Sequence, residues 1–132
     1  MKILNVVGAI LTYNNRILCA QRGAGKYEYV SYKYEFPGGK IEAGETPKEA
    51  LHRELIEEML VDIDIDDMSY YDSVEHDYPD FKLKMSTFVA PLEDQKITLT
   101  EHVDIKWLDP SELDSLDWAP ADIPIVKKLM KE

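Results

Sequence analysis

One strongly marked helix, with strand patterns on both sides of it, limits the fold of this chain more than any other feature. Thr46 is a good N-cap, and Glu49 completes the Thr-x-x-Glu capping box that marks a helix start. Pro47 suits the first helical position. The apolar residues that recur every four positions are Leu51, Leu55 and Met59. This pattern predicts a helix from Pro47 to about Leu60 whose apolar stripe anchors it to a sheet.

Segments rich in β-branched or alternating residues surround this helix. Strands are predicted at residues 2–12, 16–22, 61–76, 81–91 and 103–108, and residues 26–34 as a strand or an ordered loop. Turns are predicted at residues 14–15, 36–39 and 78–80, a short helix after residue 109, and a final helix at residues 122–131. Strands on both sides of a central helix favour an α/β fold with a mixed sheet covered by helices. At 132 residues the chain is predicted to be a single domain, residues 1–132.

Composition argues against several classes of function. The chain has 15 Lys and Arg against 26 Asp and Glu, a net charge of −11. This charge disfavours binding to nucleic-acid polymers, because such binding relies on Lys and Arg side chains that neutralise phosphates. No apolar run approaches the ~20 residues of a membrane span, and the N-terminal residues lack a signal-peptide pattern. The one cysteine, Cys19, is predicted to be buried and fits a reducing compartment, so a cytoplasmic location is expected. The histidines, which form no zinc pattern, are His52, His76 and His102.

Three glutamates share one face of the predicted helix. Glu54, Glu57 and Glu58 fall at positions i, i+3 and i+4. Because like charges at this spacing destabilise an isolated helix, the cluster needs a reason. It is either a solvated acidic face with Lys48 and Arg53 as counter-charges, or a site for a hard cation. Mg²⁺ commonly takes one or two carboxylates together with substrate phosphates.

The residues around the helix resemble the Nudix box. That box reads G-x5-E-x7-R-E-U-x-E-E-x-G-U, where U is an aliphatic residue. Its positions are filled here by Gly39, Glu45, Arg53, Glu54, Leu55, Glu57, Glu58 and Val61. The one departure is Leu60, which stands where the box has its second glycine. The flanking residues 34–40 and 118–124 resemble the MutT-like branch, and the Ala-Pro-Ala-Asp-Ile-Pro stretch most resembles bacterial CTP pyrophosphohydrolases.

The resemblance implies a Nudix fold, an α/β/α sandwich with a mixed central sheet, and a hydrolase that depends on Mg²⁺, which Mn²⁺ can replace. Water is expected to attack the β-phosphorus of a nucleoside triphosphate, giving the monophosphate and pyrophosphate. The first expected substrates are (d)CTP or modified pyrimidine nucleotides, and 8-oxo-dGTP is the second. A nucleotide-sensing module without turnover is the alternative from another class. The only expected partner is the nucleotide, and monomer and homodimer stay open.

The resemblance also implies roles for individual residues. The implied metal ligands are Glu54, Glu57, Glu58, the Gly38 carbonyl and Glu101. Arg53 is expected to orient the glutamates, and Glu45 to bridge the loop and the helix. Glu54 is favoured as the general base, with Glu101 second; the alternative for Glu101 is an exposed loop acid.

Each candidate substrate contact keeps a structural alternative. Arg22 and Lys40 could reach a phosphate or sugar, or they could be surface cations. Asp122 could accept a hydrogen bond from an exocyclic amine of cytosine or guanine, or it could cap the last helix. Phe36 or Tyr34 could stack on the base or pack in the core. The tyrosines at 27, 29, 32 and 34 could line the base pocket, a dimer interface or a half-exposed strand.

Overall fold

Seven strands and two α-helices make up the part of the chain that the structure, a computed structural model, describes: residues 2–25 and 27–132. The strands are β1 (Lys2–Tyr13), β2 (Arg16–Gln21), β3 (Tyr34–Glu35), β4 (Gly38–Lys40), β5 (Ser69–Asp77), β6 (Phe81–Pro91) and β7 (Asp104–Leu108). The helices are α1 (Pro47–Met59) and α2 (Ile123–Met130), and 3₁₀ turns cover Glu28–Val30, Ile65–Asp67, Pro110–Ser115 and Pro120–Asp122. Lys26, which begins one predicted segment, and Met1 lie outside the described residues.

All seven strands belong to one mixed sheet, which confirms the predicted fold class. The main strand order is β3-β2-β1-β6-β5, with β4 also pairing with β1 and β7 with β2. β1 runs parallel to β6, with Val7 opposite Ser86, and antiparallel to β2 and β4. Asn14 and Asn15 both adopt positive φ in the tight turn between β1 and β2, at 50° and 63°. That conformation matches the turn expected from two asparagines.

Two apolar layers, one on each face of the sheet, hold the helices. Alternate residues of β1 point to opposite faces, so Ala9 and Leu11 belong to one layer and Ile10 to the other. The first layer contains the α1 stripe predicted from the sequence, Leu51, Leu55 and Met59, and also Ala50. The second contains the α2 residues Ile125, Val126 and Leu129, together with Cys19, Phe36 and Trp118. Helices on both faces of the sheet make the predicted α/β/α sandwich.

Three predicted segments differ from the structure. The predicted strand at 61–76 is wrong in its first part, because residues 61–68 form a loop and β5 begins only at Ser69. The Asp64 carboxylate accepts a hydrogen bond from the Asp66 backbone N–H at 3.1 Å, which starts a 3₁₀ turn instead of a strand ladder. The predicted turn at 36–39 includes part of β4, and the described part of 26–34 holds a 3₁₀ turn and the first residue of β3. In residues 2–25 and 27–132, no helix has the length and apolar character needed to cross a membrane.

Candidate active site

The acidic face of α1 is oriented by how the helix begins and by what it buries. The Thr46 hydroxyl accepts a hydrogen bond from the Glu49 N–H at 3.2 Å, and the Glu49 carboxylate accepts one from the Thr46 N–H at 2.8 Å. This is the predicted capping box, and it fixes the first turn of the helix. Leu51 and Leu55 are fully buried against the sheet. Glu54, on the neighbouring face of the helix, therefore lies against Gly39 of β4.

Two glycines allow β4 to lie against both β1 and α1. A Cβ atom on Gly38 would overlap the carbonyl oxygen of Val7. A Cβ atom on Gly39 would overlap the carboxyl group of Glu54, whose oxygens would lie 2.6 Å away. Only glycine fits at position 38, because a side chain there would overlap the backbone of β1, whereas a side chain at position 39 would displace the Glu54 carboxylate. The glycine pair therefore sets how closely the Glu54 carboxylate approaches the backbone of β4.

Arg53 donates hydrogen bonds to three of the glutamates near the start of α1 and along its acidic face. Its guanidinium donates to the Glu45 carboxylate at 2.7 and 3.0 Å and to the Lys40 carbonyl at 3.0 Å. It also donates to Glu54 at 2.9 Å and to Glu57 at 3.3 Å. The hydrogen bonds from Arg53 are the main reason that the pKa of Glu45 falls to about 2. Arg53 thus joins loop, strand and helix and fixes the direction of the Glu54 carboxylate.

Glu58 is the most unusual carboxyl group of this face. It is 7% exposed, and its Oε2 atom has no hydrogen-bond partner. Burial raises the pKa of Glu58 to about 9, and contact with Glu54 and the nearby charges of Glu35 and Glu101 act in the same direction. A buried carboxyl among other carboxyls is costly to ionise unless a positive charge approaches it.

The donor set of this face fits a divalent cation. No three His, Cys, Asp or Glu side chains of the described residues already converge as a metal site, and Arg53 engages Glu54 and Glu57. The unpartnered oxygen of Glu58 and its acidic neighbours are nevertheless what a hard cation would stabilise. The metal-ligand roles of Glu54, Glu57, Glu58, Glu101 and the Gly38 carbonyl stay a prediction.

An open cleft of ≈ 810 Å³ extends from the acidic face to a group of apolar side chains. Its polar end is lined by Arg22, Gly38, Gly39, Lys40, Glu54, Glu57, Glu58 and Glu101. A second set of lining residues is mostly apolar and comprises Leu4, Val6, Phe36, Tyr78, Phe81, Leu83 and Met85, together with Asp122; of these, Leu4, Tyr78, Phe81 and Leu83 pack in one cluster, and the two sets are called the polar end and the apolar end below. The cleft therefore brings the candidate metal ligands and the candidate substrate contacts into one site. It has one end suited to charged groups and another suited to a flat, mostly apolar group.

The aromatic residues proposed for the base separate into two groups. Phe36 lines the cleft but is 3% exposed, with its ring centroid 4.9 Å from that of Trp118, so it also packs in the core. Tyr34 is not among the residues that line the cleft, and its hydroxyl donates to Asp104 at 3.1 Å. Tyr27, by contrast, lines the cleft and stacks on Tyr29.

Asp122 stands at the N-cap position of α2 but makes no side-chain capping hydrogen bond. The capping alternative is therefore wrong. Its Oδ1 atom instead accepts a hydrogen bond from the Phe36 N–H at 3.4 Å, across the cleft wall. Burial raises the pKa of Asp122 well above its ordinary value. A carboxyl that binds a proton can donate as well as accept a hydrogen bond, which widens the base edges that it can pair with.

The sequence interpretation missed two residues of the polar end, Glu35 and His102. His102 is 8% exposed and lines the cleft, and its Nε2 atom lies 2.9 Å from Glu35 Oε2. The other Glu35 oxygen accepts from Arg22 at 3.1 Å. The available signal was adjacency, because His102 directly follows Glu101 and Glu35 directly precedes Phe36.

Comparisons with known proteins agree with this geometry. A family profile described as NUDIX domain matches residues 2–129. The 8-oxo-dGTP diphosphatase of Escherichia coli K12 is 34% identical over 132 residues, 99% of each chain, and the CTP pyrophosphohydrolase of the same organism is 32% identical over 130 residues, 98% of this chain and 93% of that one. The solution structure of the DNA mismatch repair protein MutT from methicillin-resistant Staphylococcus aureus 252 is 46% identical, with a TM-score of 0.72 and coverage of 99% of this chain and 98% of that one. The chain therefore belongs to the Nudix family of hydrolases, in its MutT-like branch.

Proposed function

We propose that this protein is a metal-dependent nucleoside triphosphate pyrophosphohydrolase that releases the monophosphate and pyrophosphate. Nudix hydrolases generally use divalent metals such as Mg²⁺. The observation that carries the proposal is the single cleft of ≈ 810 Å³, which joins an acidic end to an apolar end. A nucleotide likewise combines a charged triphosphate with a flat base, and the acidic lining would take the triphosphate through a divalent cation, with Arg22 and Lys40 as further positive charges.

In the proposed reaction, water attacks the β-phosphorus and the bond from that atom to the oxygen bridging the α-phosphorus breaks. Glu54 accepts the proton of the attacking water, because Arg53 holds its carboxylate in a fixed direction by a 2.9 Å hydrogen bond. Arg22 and Lys40 line the same end and bind phosphate oxygens. Bound Mg²⁺ supplies neutralisation of the phosphate charge at this end of the cleft.

The proposed first substrates are CTP, dCTP and modified pyrimidine nucleotides. Asp122 is the acidic group of the apolar end that accepts from the Phe36 backbone, so its position beside the cleft is fixed. A carboxyl group can accept a hydrogen bond in either protonation state, which suits the exocyclic amine of cytosine. A relative named CTP pyrophosphohydrolase, 32% identical, supports this choice.

The second candidate substrate is 8-oxo-dGTP. A relative named 8-oxo-dGTP diphosphatase, 34% identical, supports it. The raised pKa of Asp122 supports it as well, because a protonated carboxyl can donate to an oxygen of an oxidised purine while accepting from its amine.

The decisive experiment is a hydrolysis panel of canonical and oxidised nucleoside triphosphates with Mg²⁺, with products identified by mass. Pyrophosphate and a monophosphate are expected, with the largest kcat/KM on a cytosine nucleotide. Asp122→Asn is expected to change the ratio of kcat/KM between cytosine and 8-oxoguanine nucleotides by roughly tenfold, since one paired hydrogen bond is worth about 1–1.5 kcal/mol.

The matched control for this panel is Asp117→Asn. The Asp117 side chain is 73% exposed and pairs with Lys33, so its loss should leave base preference unchanged. Activity on dinucleotides or nucleotide sugars, with none on any triphosphate, would contradict the proposed substrate class. An unaltered base preference in Asp122→Asn would remove Asp122 from base recognition.

A further inference from the structure

We propose that His102 is a positioning residue that holds Glu35, and through it Arg22, at the phosphate end of the cleft. This inference rests on the proposed function, because it assigns Arg22 to the substrate phosphates. His102 itself touches neither the base nor the reacting phosphorus in this proposal. Its role is to orient the Glu35 carboxylate, which in turn orients the Arg22 guanidinium.

The first step of the argument is a chain of two hydrogen bonds. His102 Nε2 lies 2.9 Å from Glu35 Oε2, and Arg22 donates to Glu35 Oε1 at 3.1 Å. The imidazole side chain is 4% exposed, the carboxylate 19% and the guanidinium 43%. The buried ring therefore anchors the chain, while the guanidinium at its far end faces the open cleft. A flexible arginine with one fixed partner loses less conformational freedom when it binds a phosphate.

The second step concerns the loop that carries His102. The Thr100 hydroxyl donates to the Glu57 and Glu58 carbonyls at 3.0 and 2.8 Å, so this loop is tied to the last turn of α1. On the other side of Glu101, His102 reaches across to Glu35. The loop therefore links the acidic helix to β3, and Glu101 lies between the two anchors.

The third step is the orientation of the imidazole ring. His102 Nδ1 lies 3.8 Å from Glu58 Oε2, which is too long for a hydrogen bond. These two atoms are the buried side-chain nitrogen and oxygen atoms without a hydrogen-bond partner among the described residues. The ring is thus directed by its bond to Glu35 rather than by Glu58. One nitrogen of the buried ring has no hydrogen-bond partner, which costs free energy. The contact with Glu35 is therefore the one that satisfies the other ring nitrogen.

The kinetic test compares His102→Gln with a matched control, His52→Gln. His52 also pairs with a carboxylate, Asp62 at 2.8 Å, but it lies outside the cleft lining. His102→Gln is expected to lower kcat/KM for the best triphosphate roughly 10–100-fold, mainly through KM, as for other groups that orient a binding residue. His52→Gln should match the parent protein.

A double variant separates positioning from general damage to the fold. If His102 acts through Glu35, the variant carrying both Glu35→Gln and His102→Gln should lose little more than either single variant. Independent, multiplicative losses in the double variant, or an unchanged KM in a folded His102→Gln protein, would overturn the proposal.

Nitrogen NMR of the histidine rings in the metal-free protein tests the contact without any turnover. Glu35→Gln should shift the His102 Nε2 resonance and leave that of His52 in place. An unchanged His102 resonance overturns the contact, and this result is obtained even if His102→Gln does not fold. A parent protein that hydrolyses no triphosphate would refute the proposed function instead, while the NMR result would still decide the link from His102 to Glu35.

Discussion

The two ends of the cleft each contain a buried carboxyl group, and the surroundings of the two groups differ. Glu58 is 7% exposed and Asp122 is 5% exposed, and burial raises the pKa of both. Glu58 has an unpartnered oxygen and the carboxyls of Glu54 and Glu101 as neighbours. Asp122 accepts a hydrogen bond from the backbone N–H of Phe36. The same functional group therefore lies among other carboxyls with one oxygen unpartnered at one end, and is hydrogen-bonded to the backbone at the other.

The local structure explains why the two ends differ. At the polar end, helix periodicity places several acids on one face, and the glycines of β4 let the strand approach them. At the apolar end, Asp122 follows two small residues, Ala119 and Ala121, which line the cleft with it. The polar end therefore has several acidic side chains on one helix, whereas the acidic residue of the apolar end, Asp122, follows Ala119, Pro120 and Ala121 in a 3₁₀ turn.

Glu58→Gln should give the largest effect, because in the proposed reaction it alters the end where the charge of the triphosphate would be neutralised. We expect kcat to fall roughly 10²–10³-fold, which corresponds to about 3–4 kcal/mol of lost charge stabilisation. Because the amide is neutral and of similar size, the metal-free protein should stay folded. Steady-state kinetics over a Mg²⁺ titration measures both the rate and the metal requirement.

Glu93→Gln is the control for this change, since Glu93 is an exposed acid in the loop after β6. It should keep the parent rate. If Glu58→Gln also keeps the parent rate and the parent Mg²⁺ requirement, Glu58 is not a metal ligand, and the contrast between the two ends is removed.

Stability against pH should distinguish the two ends by their response to Mg²⁺. The folded pKa of each carboxyl lies above its unfolded value, so the folded state binds more protons and the free energy of unfolding falls as the pH rises through that range. For Glu58 the range runs from 4.5 to about 9. For Asp122 it begins at 3.8. Thermal unfolding of the metal-free protein should therefore show a Tm that declines from mildly acidic to alkaline pH.

Added Mg²⁺ should reduce the part of the Tm decrease that is caused by ionisation of Glu58, because the cation favours the ionised carboxylate. The Asp122→Asn variant should decline less steeply than the parent with or without Mg²⁺. A parent Tm that rises from pH 5 to pH 8 in the metal-free protein would contradict the raised pKa of both groups.

The parts of this structure that sequence could predict are those fixed by local signals. The capping box of Thr46 and Glu49 and the turn at Asn14 and Asn15 depend on neighbouring residues, and both are present. Residues 61–66 alternate apolar and acidic residues as a strand would, yet they form a loop. Val61 and Ile63 are still buried in the core. The alternating sequence therefore reflects a loop that buries these apolar residues, without pairing to another strand.

Local patterns could predict the site only where its residues share one helix or one turn, and the family resemblance added Arg22, Glu101 and Asp122, which also line the cleft. Glu54, Glu57 and Glu58 are recognisable by spacing, whereas Glu35 and His102 lie 67 positions apart. Their contact exists because β3 and β7 both pair with β2, which no local pattern indicates. Contacts that depend on pairing between distant strands are therefore not predictable from local sequence patterns.

Leu60→Gly should give the smallest effect, because it alters the end of α1 and neither end of the cleft. Leu60 is 62% exposed and adopts the left-handed conformation, φ 54° and ψ 38°, while its N–H donates to the Ile56 carbonyl at 3.1 Å. Relief of left-handed strain, less the entropy that glycine adds to the unfolded chain, should stabilise the protein by about 0.5–1 kcal/mol. Urea unfolding measures this gain, and kcat should not change. Ile56→Gly, inside the helix, should destabilise by at least about 0.5 kcal/mol; equal losses in both variants would show that Leu60 is not strained.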